Sequence, residues 1–593
     1  FNKVNFYFTD TLQPKLTLRD SMGTKFRSLS DITIYGTPTS PSGTLIENNT
    51  SGGIVVHDGV TSVTRTGVTV ETTLSKSSDN RKINYARLIF KGARAAETDG
   101  SDAWGGRSVV GNTTTDNIVT VDSGTHTNVY GGWTSGTGSD GPVDKQKDST
   151  QNKVTVSGSA AVSGTVYGGF TNVAGGKATG NEVTVEKNLD ANIVGGSAIG
   201  EASSNTVTIH ANTGAVTGGI STGAAASGNK VYLANVTVTS VTGGDGVVTH
   251  NNEIHLNGNA HVTNALTGGS QPNGTGNTLY VKGMNNTAGS ITNIQKMTFD
   301  ATNAAQDSTL LDVTGATQTY VNWASLTATG MAAKPLTLLR NANGINLSGY
   351  TGAAKSETTD TTETNVDVRK TGNKITEIIY EGYTFKGTTT ATVDGSDVYG
   401  GRSKAGNATR ENTITVDSGT HTNAYGGWTT GAGSTAAAEK RGDSTGNKVT
   451  VRGTASISGT VYGGLTDVAG GKATNNEVTV EKSIAGAVLG GQSAGDATGN
   501  RVFINANSGA VTGGKAVGEA SGNIVTVGSV TVSSITGGAG ATTKDNTVNI
   551  DGTTVTNRIV GGTQADGTGN TLNVKGVNTA RNIGGFQKLH FDT

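Results

Sequence analysis

The sequence predicts an all-β chain: a right-handed parallel β-helix, or β-solenoid, of coils about 25 residues long, in two tandem copies of a repeat of roughly 292 residues. Three recurrences predict it. The first is an apolar-x-Gly-Gly signature, as in Val166-Tyr167-Gly168-Gly169, whose leading glycines fall at 105, 131, 168, 195, 218, 243 and 268, in steps of 26, 37, 27, 23, 25 and 25 residues. The second is a strand-like segment opened by asparagine, Asn152-Lys-Val-Thr-Val156 and its relatives, once per step. The third is a phrase at long range: Phe1-Asn2-Lys3-Val4-Asn5-Phe6 returns as Ile294-Gln295-Lys296-Met297-Thr298-Phe299 and as Phe586-Gln587-Lys588-Leu589-His590-Phe591.

Composition agrees with short strands and tight turns. There are 90 Gly but only 6 Pro among 593 residues, with 5% aromatics; β-branched residues between glycine-rich turns favour strands over helices. Lys plus Arg number 44 against 45 Asp plus Glu, a net charge of −1, so no basic footprint points to nucleic acid or an anionic membrane. With no Cys there is no disulfide framework, Cys-x-x-Cys metal knuckle or thiol nucleophile. No apolar run reaches the length of a membrane-spanning helix, and no insertion of this segment into a membrane is expected. The chain begins at Phe1 without a charged-then-apolar leader and reads as a window from a longer tandem array.

In chain order, residues 1–89 and 294–384 are the less regular parts of the two copies and are expected to be irregular coils of the same solenoid. Ile83-Asn84-Tyr85 and Ile375–Tyr380 read as strands, and the Thr-rich acidic run from Glu357 to Asp367 as a solvated loop. Residues 90–293 and 385–585 are the regular coils, and 586–593 begin a third copy. The opening asparagines are Asn117, Asn152, Asn181, Asn205, Asn229, Asn252 and Asn277, then Asn412, Asn447, Asn476, Asn500, Asn523, Asn546 and Asn570. Period-two alternation turns Val119 and Val121, with their counterparts, to one face and Thr120 to the other. The step of 37 carries extra residues at Thr134–Gln151 and Thr429–Gly446, expected to project from the wall as loops.

The repeated residues invite structural roles first. Asparagines at one place in every coil are expected to stack into a hydrogen-bonded ladder, with glycosylation or ligand contact as the functional alternative. The Gly pairs are expected at a corner, supplying positive φ or close backbone approach. An aromatic file is the candidate contact surface: Trp104, Tyr130 and Tyr167 precede Gly-Gly in the first copy and Tyr399, Tyr425 and Tyr462 in the second, while Trp133, Phe170 and Trp428 follow it. Alternation would point these rings outward to grip sugars or a protein partner; the competing expectation is a stack that stabilises a corner.

Catalytic patterns are sparse. Asp122 and His126 recur as Asp417 and His421 in the same Val-Asp-Ser-Gly-Thr-His phrase, which reads as a duplicated turn. The 8 His include no His-Glu-x-x-His zinc pattern, and Gly243-Gly-Asp-Gly246 only brushes a calcium-roll repeat without iterating it, so neither metal nor cofactor is called for. A flat Thr grid of the ice-binding kind would be interrupted by Tyr232, His255 and Tyr280.

The iterated Gly-Asn-x-Val-Thr-Val…Val-Tyr-Gly-Gly coils, with the Phe-Gln-Lys-Leu-His-Phe phrase between blocks, resemble the passenger regions of large type V autotransporter adhesins of Gram-negative bacteria. The resemblance implies a β-helix exported through a C-terminal barrel and displayed on, or released from, the cell surface. The expectation is therefore a non-enzymatic extracellular stalk or filament segment for adhesion, aggregation or biofilm structure. Its partners would be further repeats of the same chain, surface glycans or proteins, and laterally associated copies. A polysaccharide-active β-helix enzyme is the alternative.

Overall fold

The computed structural model describes residues 3–8, 13–18, 31–35, 40, 42–48, 62–67, 70–79, 81–136, 147–330, 335–431 and 442–592. It is an all-β parallel solenoid of about 18 coils roughly 25 residues apart, with no helix among the described residues. The tips of both projecting loops, 137–146 and 432–441, lie outside the described residues, as does much of 1–89.

Each regular coil contributes to three walls. In the coil 149–171, Ser149–Thr150 is a short strand, Lys153–Val156 follows Asn152, and Thr165–Thr171 carries the Gly pair. Stacking gives a six-stranded short wall in the first copy, and a nine-stranded Asn wall and a fifteen-stranded Gly-Gly wall that run on from it into the irregular part of the second copy. The second copy has six, eight and nine strands in the same walls. Register along the Asn wall does not slip: Val119 pairs with Val154, then Val183, Val207, Val231, Ile254, Leu279 and Met297. The reason is the alternation itself. A one-residue shift would turn Val119 and Val121 to solvent and Thr120 inward, and burial alternates exposed-buried-exposed-buried along Ile118–Val121.

The corner before each Asn strand has a fixed geometry. The residue ahead of every one of the fourteen asparagines is in the left-handed region, from φ 52° at Asp545 to 69° at Gly569. Half of these residues are glycine; the others are Asp116, Gln151, Ser204, Asn251, Glu411, Asn475 and Asp545. Side-chain-bearing residues pay a conformational cost there that glycine avoids.

The irregular parts differ from the expectation of irregular coils. Solenoid coils do continue through Lys296–Asp300, Leu326–Thr329, Leu336–Asn341 and Ile345–Ser348, each with a parallel partner, although Leu336–Asn341 also pairs antiparallel with Lys374–Thr384. Beyond them the chain makes an antiparallel meander, Lys355–Thr358, Thr362–Thr371 and Lys374–Thr384. The run from Glu357 to Asp367, expected as a solvated loop, lies mostly within these strands and holds the fully buried Glu363. Residues Ser42–Asn48, Lys82–Ile89, Val70–Lys76 and Ser62–Gly67 form a related antiparallel sheet in the first copy. Local pairing explains the change: Thr371-Gly372-Asn373-Lys374, with Gly372 at φ 60°, closes a tight hairpin that a one-strand-per-wall coil has no place for.

These sheets abut the start of each regular stack and divide the core. One apolar cluster runs from Ala103 to Tyr380 and another from Val398 to Leu572. At each boundary a buried carboxylate enters from the antiparallel sheet. Glu71 accepts from Ser108 Oγ (2.8 Å), the Val109 amide (2.6 Å) and Asn112 Nδ2 (3.1 Å). Glu363 accepts from Ser403 Oγ (2.5 Å), the Lys404 amide (2.6 Å) and Asn407 Nδ2 (2.7 Å).

Glu411→Gly should relieve a left-handed corner and raise stability by about 0.5–1 kcal/mol. Thermal unfolding followed by circular dichroism checks this; an unchanged or lowered midpoint would count against corner strain at Glu411.

Candidate functional site

The fourteen asparagines are fully buried and bonded along the axis. Asn152 Nδ2 donates to Asn181 Oδ1 (3.0 Å), Asn181 to Asn205 (3.0 Å), Asn205 to Asn229 (3.0 Å), Asn229 to Asn252 (3.0 Å) and Asn252 to Asn277 (3.0 Å). Asn117 opens this run through Asn152 at 2.6 Å. In the second copy Asn412, Asn447, Asn476, Asn500, Asn523, Asn546 and Asn570 are linked at 2.7–3.0 Å. Each interior rung is doubly used. Asn205 Oδ1 also accepts the Asn181 main-chain amide (3.0 Å), and Asn205 Nδ2 also donates to the Ala178 carbonyl (3.0 Å). Both amide hydrogens and both lone pairs are thereby engaged without water.

Both ladders end on glutamine. Gln295 Oε1 accepts the Asn277 amide at 3.0 Å, and Gln587 Oε1 accepts the Asn570 amide at 2.9 Å. The phrase that marks the long repeat thus supplies the terminal rung.

The Gly pairs face this ladder. Twelve of the fourteen lie within strands and the other two, Gly243-Gly244 and Gly268-Gly269, directly follow a strand end; none has positive φ, which corrects the expectation of a positive-φ corner. What they provide is space. A Cβ on Gly169 would sit 2.4 Å from Asn181 Nδ2, and one on Gly168 would sit 2.4 Å from the Gly195 carbonyl oxygen. The second glycine makes room for the asparagine and the first for the neighbouring backbone.

The aromatic file is a set of ring stacks. Tyr130 lies parallel to Tyr167 (5.2 Å, 5°) and to Trp104 (6.2 Å, 8°). In the second copy Tyr425 stacks on Tyr399 (5.0 Å, 6°) and Tyr462 (5.1 Å, 1°). Phe170 meets Tyr130 and Tyr167 edge-on, while Trp133 tilts against Tyr130 and Trp428 against Tyr425. Trp104, Tyr399 and Tyr425 are buried; Tyr130, Trp133, Tyr167, Phe170, Trp428 and Tyr462 are half-buried. The rings therefore spend most of their faces on one another, unlike an open outward stripe. Burial pushes the Tyr130 and Tyr399 hydroxyls up to about 12.

Each stack is closed by an arginine that sequence reasoning passed over. Arg107 lies 4.2 Å above Trp104 and pairs with Asp99 at 2.8 Å. Arg402 lies 4.4 Å from the Tyr399 ring centre and 4.7 Å from that of Tyr383, and pairs with Asp394 at 2.5 Å. The signal was present in the recurrence Gly105-Gly106-Arg107-Ser108 and Gly400-Gly401-Arg402-Ser403, the first regular coil of each copy. Glu71 and Glu363 carried no comparable phrase.

The Asp122–His126 phrase forms a turn in both copies. His126 Nε2 lies 3.0 Å from the Ser123 carbonyl oxygen and His421 Nε2 lies 3.2 Å from that of Ser418, with both rings buried. On the outer face of the Asn wall His255 is sandwiched between Tyr232 and Tyr280, each at 4.4 Å. Burial pulls its pKa down against the opposing effect of Glu253.

The geometry defines a parallel β-solenoid with an internal amide ladder and an aromatic–arginine cluster at the start of each regular stack. Comparison with family models, curated proteins and solved structures gives no match.

Asn205→Ala should cost about 3 kcal/mol, because it leaves the Asn181 main-chain N–H and one of its two side-chain N–H groups without an acceptor; Gly196→Ala should cost about 1–3 kcal/mol, its Cβ falling 2.6 Å from Asn205 Nδ2. Urea unfolding measures both, and wild-type midpoints would remove the ladder from its structural role. A second expectation concerns alkali. The two tyrosines have folded pKa values above the ordinary 10, so their contribution is whole below pH 10 and is lost as pH rises towards about 12. Stability should fall through that window, and Tyr130→Phe should flatten the fall.

Proposed function

We propose that the chain is a non-enzymatic stretch of a bacterial cell-surface β-solenoid, a stalk or filament segment of the kind found in type V autotransporter adhesins. It would serve adhesion, aggregation or biofilm structure outside the cell. The observation that supports the reading is the uninterrupted edge covering within each regular stack. Every interior strand of the Asn wall has a parallel partner on both sides, so the coil's hydrogen-bonding edges are satisfied by more of the same chain. About 18 coils at roughly 4.8 Å per coil give on the order of 85 Å of length. Length obtained by repetition suits a spacer that carries a contact surface away from a membrane. Outward positions carry little of the fold's constraint: Tyr232, His255 and Tyr280 of the first copy stand where the second has Thr526, Asn549 and Asn573, while inward neighbours remain Val, Ile or Leu. Surface glycans or proteins, further repeats and neighbouring copies are the partners this reading assigns.

Deleting residues 294–585 from the full protein displayed on its cell should leave a folded but shorter fibre in electron micrographs and weaken cell aggregation. Unchanged aggregation, or release of reducing sugar from a polysaccharide panel by the purified chain, would overturn the proposal.

A further inference from the structure

A slot of about 230 Å³ opens where the antiparallel meander meets the second regular stack. Tyr383, Thr388, Thr390, Thr392, Tyr399 and Arg402 line it. Two polar atoms in it, Thr388 Oγ1 and Arg402 Nε, are buried and have no hydrogen-bond partner. A buried N–H without an acceptor is costly, and Arg402 lines the slot together with several threonines.

The charges around the slot are already matched. Arg402 is paired with Asp394 at 2.5 Å, and Lys404, beside Tyr383, with Glu381 at 2.6 Å. An ionic occupant would meet no spare opposite charge. The ring faces are also taken: Tyr399 has Tyr425 stacked on it and the Arg402 guanidinium over it. What remains is a small cleft of threonine hydroxyls and one free N–H, bounded by the apolar edges of two tyrosines. Such a lining fits a neutral, polyhydroxylated ring that can donate and accept hydrogen bonds within a confined volume.

The first copy supplies an internal comparison. Counting back 295 residues, Tyr383, Thr388, Thr390 and Thr392 become Leu88, Ala93, Ala95 and Glu97, and Gly382 becomes Arg87. Arg87 pairs with Glu97 at 3.4 Å in that place. The stacked aromatics, the Arg–Asp pair and the unpartnered arginine Nε (Arg107, Arg402) are therefore common to both copies, while the hydroxyl lining, with the unpartnered Thr388 Oγ1, belongs to the second alone. Scaffold needs do not account for it, since the first copy builds the same junction without it.

We propose that the slot formed by Tyr383, Thr388, Thr390, Thr392 and Arg402 binds one neutral sugar residue of a glycan. Thr388 Oγ1 and Arg402 Nε hold the ring oxygens or hydroxyls, and the tyrosine edges pack against its C–H groups. The inference deepens the adhesive reading above and takes its biological sense from it. Titration calorimetry on the 593-residue chain with the methyl glycosides of glucose, galactose and mannose, and with glucuronate as the charged comparator, tests it. At least one neutral glycoside should bind with a Kd of about 1 mM, and glucuronate about tenfold more weakly. The double variant Thr388→Ala/Thr390→Ala carries residues the first copy already accommodates and should retain the wild-type circular dichroism. It should lose about tenfold in affinity. No binding of any neutral glycoside, a preference for glucuronate, or unaltered affinity in the folded double variant would overturn the assignment. The copy deletion decides the surface role and the titration decides the slot, so the two fail separately.

Discussion

The amide ladder facing the Gly pairs is the constraint from which the rest of the structure follows. A row of buried asparagines is tolerable when its interior donors and acceptors are engaged, because each one left alone costs about 1–3 kcal/mol; only the last side-chain nitrogen of each run, on Asn277 and Asn570, lacks a partner. That condition fixes the axial spacing, since Asn205 must reach Asn229 on one side while receiving Asn181 on the other. It also fixes the opposite wall. With Gly196 in place, the nearest possible Cβ position is 2.6 Å from Asn205 Nδ2, so no larger residue fits while the coil stays this narrow. Asparagine and glycine are two halves of one cross-section, repeated in both copies.

The ladder in turn explains the corners and the ends. An asparagine buried at the first position of a strand requires the chain to turn sharply just before it, and the left-handed residue at all fourteen such places does this. The preference for glycine there is incomplete because the cost of a side chain, about 1–2 kcal/mol, is small beside a broken rung. A ladder must also stop. Glutamine, longer by one methylene, stands at its end at Gln295 and Gln587 and accepts the last asparagine's main-chain N–H, leaving that asparagine's side-chain nitrogen without a partner, and that coil begins the next long repeat. Short and long periods meet at one residue.

The regular coils were legible because each of their constraints leaves a mark in one dimension. Val119 and Val121 alternate with Thr120, asparagine returns every coil, and Gly-Gly recurs in step with it. Function of the glycines was less legible: Gly168-Gly169 reads as a turn in sequence and proves to be a strand with a space requirement set by Asn181. The aromatic residues were found, but their burial was not, because stacking between coils depends on register rather than on local sequence. Glu363 was hidden for a different reason. Its acidic, Thr-rich surroundings favour solvent locally, and only the tertiary donors Ser403 and Asn407 and the Lys404 amide make burial acceptable.

The two copies also separate what the fold demands from what it permits. Inward positions of the Asn wall in the regular coils stay β-branched or leucine across the two copies, and the ladder keeps every asparagine. Outward positions change class: the Tyr232–His255–Tyr280 sandwich gives way to Asn573 Nδ2 bonded to Asn549 at 2.6 Å and Asn549 Nδ2 to Thr526 at 3.1 Å. The same freedom operates at the junction, where Ala93 and Ala95 stand opposite Thr388 and Thr390. A solenoid built on an internal amide ladder can therefore alter surface chemistry one coil at a time, without renegotiating its core. Differences between copies, rather than the residues they share, are where contact with other molecules should be sought, and the threonine-lined slot, with its buried, unpartnered Thr388 hydroxyl, is such a difference.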